Sequence, residues 1–281
     1  MEFQRKPDWL KSKLTSEAAY TSVLRSIQDR GLHTICTSGK CPNLSECWSK
    51  GTATIMILGD ICTRSCKFCN TLTGKPLPTD RNEPLKVAEA IRNLGLKHAV
   101  ITSVDRDDLP DYGASHWAET IRQVKALNPA TTIEVLIPDF NACGKCIDLI
   151  IDEKPEIISH NMETVKRLTP QIRTKARYGT SLEVLSYISS RNVTAKTGIM
   201  LGLGETETEI YELFDDVLST GCRIITIGQY MQPSRKNVPV VSYIQPELFD
   251  KYKLIALEKG FRIAESGPLV RSSYCAEKHL I

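Results

Sequence analysis

The 281-residue chain carries 36 Lys and Arg against 33 Asp and Glu, a formal net charge of +3, with 41% hydrophobic and 25% charged residues. That composition excludes a disordered or collagen-like chain, and so nearly balanced a charge argues against a protein held to nucleic acid by phosphate neutralisation. No stretch approaches the roughly 18 apolar residues of a membrane span. The N-terminal MEFQRKPDWLKSKL lacks the apolar segment of an export signal, so the expectation is a cytoplasmic protein.

Residues 1–51 are expected to form an N-terminal extension, in which a helix at about 16–30 leads into CTSGKCPNLSEC. From residue 52 short β-branched runs alternate with helical stretches. A strand at 52–58 ends at Gly59, and a helix at 84–94 places Val87, Ala90, Ile91 and Leu94 on one face. A strand at 98–104 precedes a helix at 115–127, opened by Ser115 as N-cap and closed before Pro129. Further strands are predicted at 131–137, 156–160, 193–201, 223–230 and 261–266, separated by helices at 143–153, 180–191, 206–220 and 246–259. Residues 267–281 form a C-terminal tail.

Alternation of this kind favours a parallel sheet with right-handed crossovers. Six or seven units fit a doubly wound sheet or a β/α barrel, and in both the chemistry collects at the carboxyl ends of the strands. Cysteines follow the first strand and no GxGxxG appears there, which favours the barrel. The expected fold is α/β, a partial (βα)6 TIM-like barrel over 52–266 with extensions at both ends.

Ten cysteines are unusual for such a chain, and six fall between Cys36 and Cys69. Without an export signal they point to metal ligands or reactive thiols rather than a disulfide framework. Cys62, Cys66 and Cys69 in GDICTRSCKFC are spaced C-x3-C-x2-C. Three thiolates so close can wrap one face of a four-iron cluster and leave one iron open for a ligand. A zinc knuckle completed from elsewhere is the competing reading. Upstream, Cys36, Cys41 and Cys47 form a second triplet, read as another cluster site, again one ligand short, or as a zinc site.

The C-x3-C-x2-C loop with Phe68 before its last cysteine resembles the signature of the radical S-adenosylmethionine superfamily. Together, SGKCPNLSECW, GDICTRSCKFC, TSVDRDDLPDYG, HNMETV, MLGLGE and GPLVRSSY closely resemble, in order, the motifs of the lipoyl synthase family. That resemblance implies two [4Fe-4S] clusters and two S-adenosylmethionine molecules per product. Cys62, Cys66 and Cys69 would hold the radical cluster. Cys36, Cys41 and Cys47, completed by Ser273 (with Ser272 the less favoured neighbour), would hold an auxiliary cluster. The implied reaction inserts two sulfur atoms from the auxiliary cluster at C6 and C8 of a protein-bound octanoyl-lysine. The implied partners are lipoyl carrier domains of 2-oxo-acid dehydrogenases, the glycine-cleavage carrier protein, and reduced flavodoxin or ferredoxin. A sister activity in the manner of biotin synthase would share the first triplet but lack the upstream triplet and the RSSY tail.

Several other residues are candidate S-adenosylmethionine contacts. Asn161 and Glu163 follow the fourth strand, where they meet the cofactor or cap a helix. Arg177 is a candidate partner for the cofactor carboxylate, or a surface arginine. In GIMLGLGE, Gly202 and Glu205 belong to a glycine-containing strand end expected near adenine, although glycines there also suit a tight turn. The acidic DRDDLPD at 105–111 either shapes the pocket or is a solvated loop. Cys143 and Cys146 form a C-x2-C with no matching motif; at a helix start such a pair suits a lowered thiol pKa and redox activity, but it is read as incidental. Cys222 and Cys275 are read as packing residues, and His160 as a pocket candidate.

Overall fold

The computed structural model describes residues 5–11, 17–50 and 52–280. The sequence-predicted helix at 16–30 is observed as α1 (Glu17–Gln28), its first expected residue lying outside the described ones. Then come β1 (His33–Thr34), α2 (Ile35–Ser38), α3 (Leu44–Ser49), β2 (Thr54–Ile57), β3 (Ile61–Cys62) and β4 (Leu72–Thr73). The barrel units continue with α4 (Glu83–Leu94), β5 (His98–Ser103), α5 (Ala114–Leu127), β6 (Thr132–Leu136), α6 (Gly144–Ile151) and β7 (Ile157–Ser159). They end with α7 (Thr169–Ile172), α8 (Tyr178–Ser190), β8 (Thr194–Leu201), α9 (Glu207–Ser219), β9 (Ile224–Gln229), α10 (Pro246–Lys259) and β10 (Ile263–Gly267). No helix among the described residues is long and apolar enough to cross a membrane.

Seven strands run parallel in the order β2-β5-β6-β7-β8-β9-β10, which is six βα units and a closing strand. The sequence pattern did not reveal β1, which pairs antiparallel with β2 through Thr34 opposite Ile55 and so joins the N-terminal extension to the sheet. Two residues are too few to carry a period. The expected Ser115 cap is also corrected. α5 is preceded by Gly113, and the backbone N–H groups of Gly113 and Ser115 donate instead to the Asp111 carboxylate, at 3.0 and 2.9 Å. A carboxylate is the better acceptor at a helix start because the unpaired N–H groups there carry partial positive charge.

Alternation along the strands sets two faces. Ile101, Val135, Ile225 and Ile227 are buried in the apolar core, whereas Thr102, Leu136, Gly198, Met200, Thr226 and Gly228 line a cavity. The C-terminal tail packs across that inner surface. A Cβ on Gly228 would stand 2.1 Å from the Val270 carbonyl, and one on Gly198 would stand 3.0 Å from the Ser272 hydroxyl. Glycine at these two places is therefore what admits the tail.

Two residues nearer the strand starts, the same faces carry Lys196 and Glu134, both essentially unexposed. Lys196 Nζ donates to both Glu134 oxygens at 2.8 and 2.9 Å, and Ser159 donates to the same carboxylate at 2.9 Å. Burial pulls the Lys196 ammonium below its ordinary pKa, and Glu134 opposes that pull. Removing one member of such a pair strands the other charge, at a cost of about 3–5 kcal/mol. Lys196→Met should thus lower urea-unfolding stability by about that amount, while Glu134→Leu added to it should restore most of the loss. A single variant as stable as the parent chain would refute the pairing.

Candidate active site

The first cysteine loop leaves β2 through Leu58 and Gly59, both in the left-handed region with φ of 68° and 91°. β3 and β4 pair parallel and close the loop at its base, where Gly74 N–H donates to the Cys62 carbonyl at 3.1 Å. Arg64 sits between Cys62 and Cys66 with its side chain 3% exposed. Its Nε and Nη2 donate to Asp107 at 2.8 Å each, and its Nη1 and Nη2 donate to Asp139 at 2.8 Å each. Asp105 adds a third carboxylate 3.3 Å away. Bidentate geometry of this kind fixes orientation as well as charge. The acidic DRDDLPD segment is thus the anchor of the cysteine loop, with Arg106 likewise pairing to Asp108. Burial alone would raise the Asp139 carboxyl, but the Arg64 hydrogen bonds outweigh it and hold it at about 2.

Other contacts pin the rest of this loop. Lys67 N–H donates to the Ile172 carbonyl (2.8 Å), and the Asn237 amide donates to the Cys69 carbonyl (2.8 Å). The Asn70 amide donates to the Ser38 carbonyl (2.9 Å), which ties the loop to the N-terminal extension.

The second trio is built on two short helices. Thr34 opens α2 by accepting the Thr37 N–H, and Cys36 lies buried on that turn. Cys41 N–H donates to the Cys36 carbonyl (2.9 Å), and Cys47 on α3 is held by its N–H to the Asn43 carbonyl (2.8 Å). The tail completes the arrangement. The Asn43 amide donates to the Leu269 carbonyl (2.6 Å), and the Thr54 hydroxyl donates to Ser273 Oγ (2.8 Å). Thr54 also lies against Cys36, so Cys36 and Ser273 share one neighbour.

One cavity of about 340 Å³ joins the two cysteine groups: Cys36 and Cys41 line it together with Cys62, Cys66 and Cys69, and Ser272 and Ser273 stand in its wall. Cys47 does not line it, but lies close enough that charge on Cys41 and Cys36 adds to burial in pushing its thiol up to about 12.

The family model of the radical SAM superfamily matches residues 56–217. Lipoyl synthase of Parabacteroides distasonis is 63% identical over 276 residues, covering 98% of each chain. That of Phocaeicola vulgatus is 59% identical over 280 residues, covering 100% of this chain and 99% of its own. This chain belongs to the lipoyl synthase family.

It is therefore an enzyme of the radical SAM superfamily, acting in lipoyl biosynthesis. Superfamily membership implies a [4Fe-4S] cluster and S-adenosylmethionine. Solved structures agree on the fold. Streptococcus suis SuiB bound to S-adenosylmethionine aligns with a TM-score of 0.58 at 10% identity, over 79% of this chain and 54% of that one. Methylornithine synthase aligns at 0.54 and 10% identity, over 94% and 82%.

The residues present fit such groups. All six thiols of the trios are free. Burial pushes Cys62 up to about 12 and Cys66 to about 11, and raises Cys36 and Cys41. Thiolates crowded into such a site are stable when a metal cation shares it. Among the described residues no three Cys, His, Asp or Glu converge on one ion, and a cubane does not require it, because each thiolate takes a different iron.

Of the expected contacts in this lipoyl synthase family member, Asn161 and Glu163 do line the cavity. The Asn161 amide donates to Glu163 (3.1 Å) and Ser272 (2.7 Å), while its buried Oδ1 has no partner among the described residues. Burial raises the Glu163 carboxyl, with Arg173 and Asn161 opposing. Three of the expected residues stand outside the cavity lining. Arg177 is exposed at the start of α8 and does not line the cavity. The buried cation there is Arg173, which donates from Nη1 to Ser181 (2.9 Å) and keeps Nε unpaired. Gly202 and Glu205 lie outside the lining. The Glu205 carboxylate accepts the N–H groups of Gly202 and Leu203 and closes the turn after β8, and Gly198 and Met200 face the cavity instead. Arg173 carried no motif signal; only its neighbours mark it.

His160 also lines the cavity, fully buried between the Ile137 carbonyl and Ser181, and burial followed by the charge of Arg173 lowers it to about 4. Its ordinary value is 6.5, so below that pH the unfolded chain binds a proton that the folded one refuses. The stability is present above pH 6.5 and is lost progressively as pH falls toward 4. Between pH 7 and 5.5 the chain should lose about 1 kcal/mol more than a His160→Gln variant. Parallel urea midpoints for the two proteins would rule out this buried neutral imidazole.

Proposed function

We propose that the chain inserts two sulfur atoms at C6 and C8 of an octanoyl group amide-linked to a carrier lysine, giving lipoyl-lysine. The observation that carries this reading is the single cavity lined by Cys62, Cys66 and Cys69 together with Cys36, Cys41 and the RSSY serines. Cys62, Cys66 and Cys69 would hold one [4Fe-4S] cluster, and Cys36, Cys41, Cys47 and Ser273 a second. When bound, the first cluster with S-adenosylmethionine supplies a hydrogen-abstracting radical, and the second supplies sulfide.

Each half of the cavity has its own polar equipment for this task. The unpaired Oδ1 of Asn161 and the buried carboxyl of Glu163 suit an ammonium or hydroxyl donor, and Arg173 suits a carboxylate. Ser273 is favoured over Ser272 as the fourth ligand. It meets Thr54 on the Cys36 side, whereas Ser272 is engaged by Asn161. An oxygen ligand is harder than thiolate and holds one iron less firmly, which suits a cluster that gives up its sulfides. The walls must also exclude water and position the chain closely, because an unactivated C–H bond offers no acidity for a side-chain base to use.

Octanoylated carrier domains of 2-oxo-acid dehydrogenases and of glycine cleavage would present the substrate, with reduced flavodoxin or ferredoxin as electron source. The test is anaerobic incubation with reductant, S-adenosylmethionine and an octanoyl-lysine carrier peptide, followed by mass spectrometry. Peptide carrying two sulfurs is the expected product. In Ser273→Ala, deoxyadenosine should still form while sulfur insertion falls at least tenfold. Deoxyadenosine from the parent chain with no sulfur-bearing peptide would overturn the reading, and unchanged insertion in the variant would remove Ser273 from the ligand set.

A further inference from the structure

Outside the cavity, the segment Cys143-Gly144-Lys145-Cys146 opens α6, with Cys143 at the N-cap and Cys146 in the first turn. The two sulfurs are 3.0 Å apart, the Cys146 thiol donating to Cys143. Their surroundings differ: Cys146 is buried in the apolar core at 6% exposure, while Cys143 is only partly covered. An accessible sulfur in contact with a buried one is what thiol–disulfide exchange needs, an attacking thiol and a resolving thiol. We propose that Cys143 and Cys146 form a reversible dithiol–disulfide couple.

The local backbone holds the pair in place. Phe140, Asn141 and Ala142 all lie in the left-handed region, with φ of 45°, 50° and 56°, a conformation that side-chain-bearing residues rarely adopt in succession. Asp139 fixes this turn by accepting the Asn141 N–H on its carboxylate (3.0 Å) and the Ala142 N–H on its carbonyl (2.8 Å), and Cys143 N–H donates to the Phe140 carbonyl (3.0 Å). Gly144 packs so tightly on the Tyr187 ring that a Cβ would stand 2.9 Å from it. The helix start favours the thiolate of Cys143, whose pKa is drawn down by the Cys146 thiol and then by the N–H groups of Cys146 and Lys145. Burial keeps Cys146 protonated, pushing it up to about 12.

The oxidant is a low-molecular-weight disulfide, RSSR. The Cys143 thiolate attacks one of its sulfurs, forming a mixed disulfide and releasing RS⁻. Cys146 then loses its proton to the departing thiolate and attacks Cys143 Sγ, forming the Cys143–Cys146 bond and releasing the second RS⁻. The balance is one dithiol and RSSR giving one disulfide and two RSH, with two electrons passing to the oxidant.

The test uses the full chain, reduced under anaerobic native conditions and equilibrated with reduced and oxidised glutathione at a series of ratios, then acid-quenched, alkylated and digested. Tryptic cleavage after Lys145 separates the two cysteines, so their bridge appears as a linked peptide pair. The pair should rise with oxidised glutathione and vanish with dithiothreitol. In Cys146→Ser, glutathione should remain attached to Cys143, and in Cys143→Ser, Cys146 should stay alkylatable throughout. The proposal fails if both cysteines remain free in fully oxidised glutathione, or if an unmodified chain accumulates the Cys143 adduct with Cys146 unreacted.

Discussion

A single guanidinium, Arg64, is clamped between the carboxylates of Asp107 and Asp139, and the placement of the first cysteine loop depends on it. Each carboxylate stands at the end of a different strand: Asp107 follows β5 and Asp139 follows β6. Buried charge is costly unless it is neutralised and fully hydrogen-bonded, and four charge-assisted bonds meet that condition here. The consequence is geometric. The clamp fixes the loop carrying Cys62, Cys66 and Cys69 to the rigid sheet rather than leaving it to solvent.

A second constraint acts on the tail. The partial sheet leaves its two edge strands, β1 and β10, unpaired with each other, and the chain after β10 turns back over the inner surface. Missing side chains at Gly198 and Gly228 leave room for it, and Thr54, Asn43 and Asn161 fasten it at Ser273, Leu269 and Ser272. The tail in turn brings residues more than two hundred positions from Cys36, Cys41 and Cys47 to within hydrogen-bond range of that trio's surroundings. Among the described residues, Asn161 Oδ1 and Arg173 Nε, on two side chains that line the cavity, are buried without partners, the kind of atoms that a ligand satisfies.

The two chemistries in the chain occupy different environments. Within the trios, burial disfavours free thiolates, and the proposed clusters would carry the compensating charge. At Cys143 the neighbouring Cys146 thiol, and then the N–H groups of the helix start, lower the thiol pKa.

Much of this was legible in the linear chain. Hydrophobic periodicity located the six βα units, because each strand must present one face to its helices, and local spacing marked both cysteine trios as candidate ligand sets. The motifs from GDICTRSCKFC to GPLVRSSY carried the family. Other features depend on contacts between segments remote in sequence, to which a local pattern is blind. Only the tertiary structure showed that DRDDLPD anchors Arg64, that Arg173 rather than Arg177 faces the cavity, and that Gly202 and Glu205 serve a turn. The RSSY motif already favoured Ser273 over Ser272, but only the folded tail sets a different neighbour against each, Thr54 against Ser273 and Asn161 against Ser272, because those contacts join segments remote in sequence.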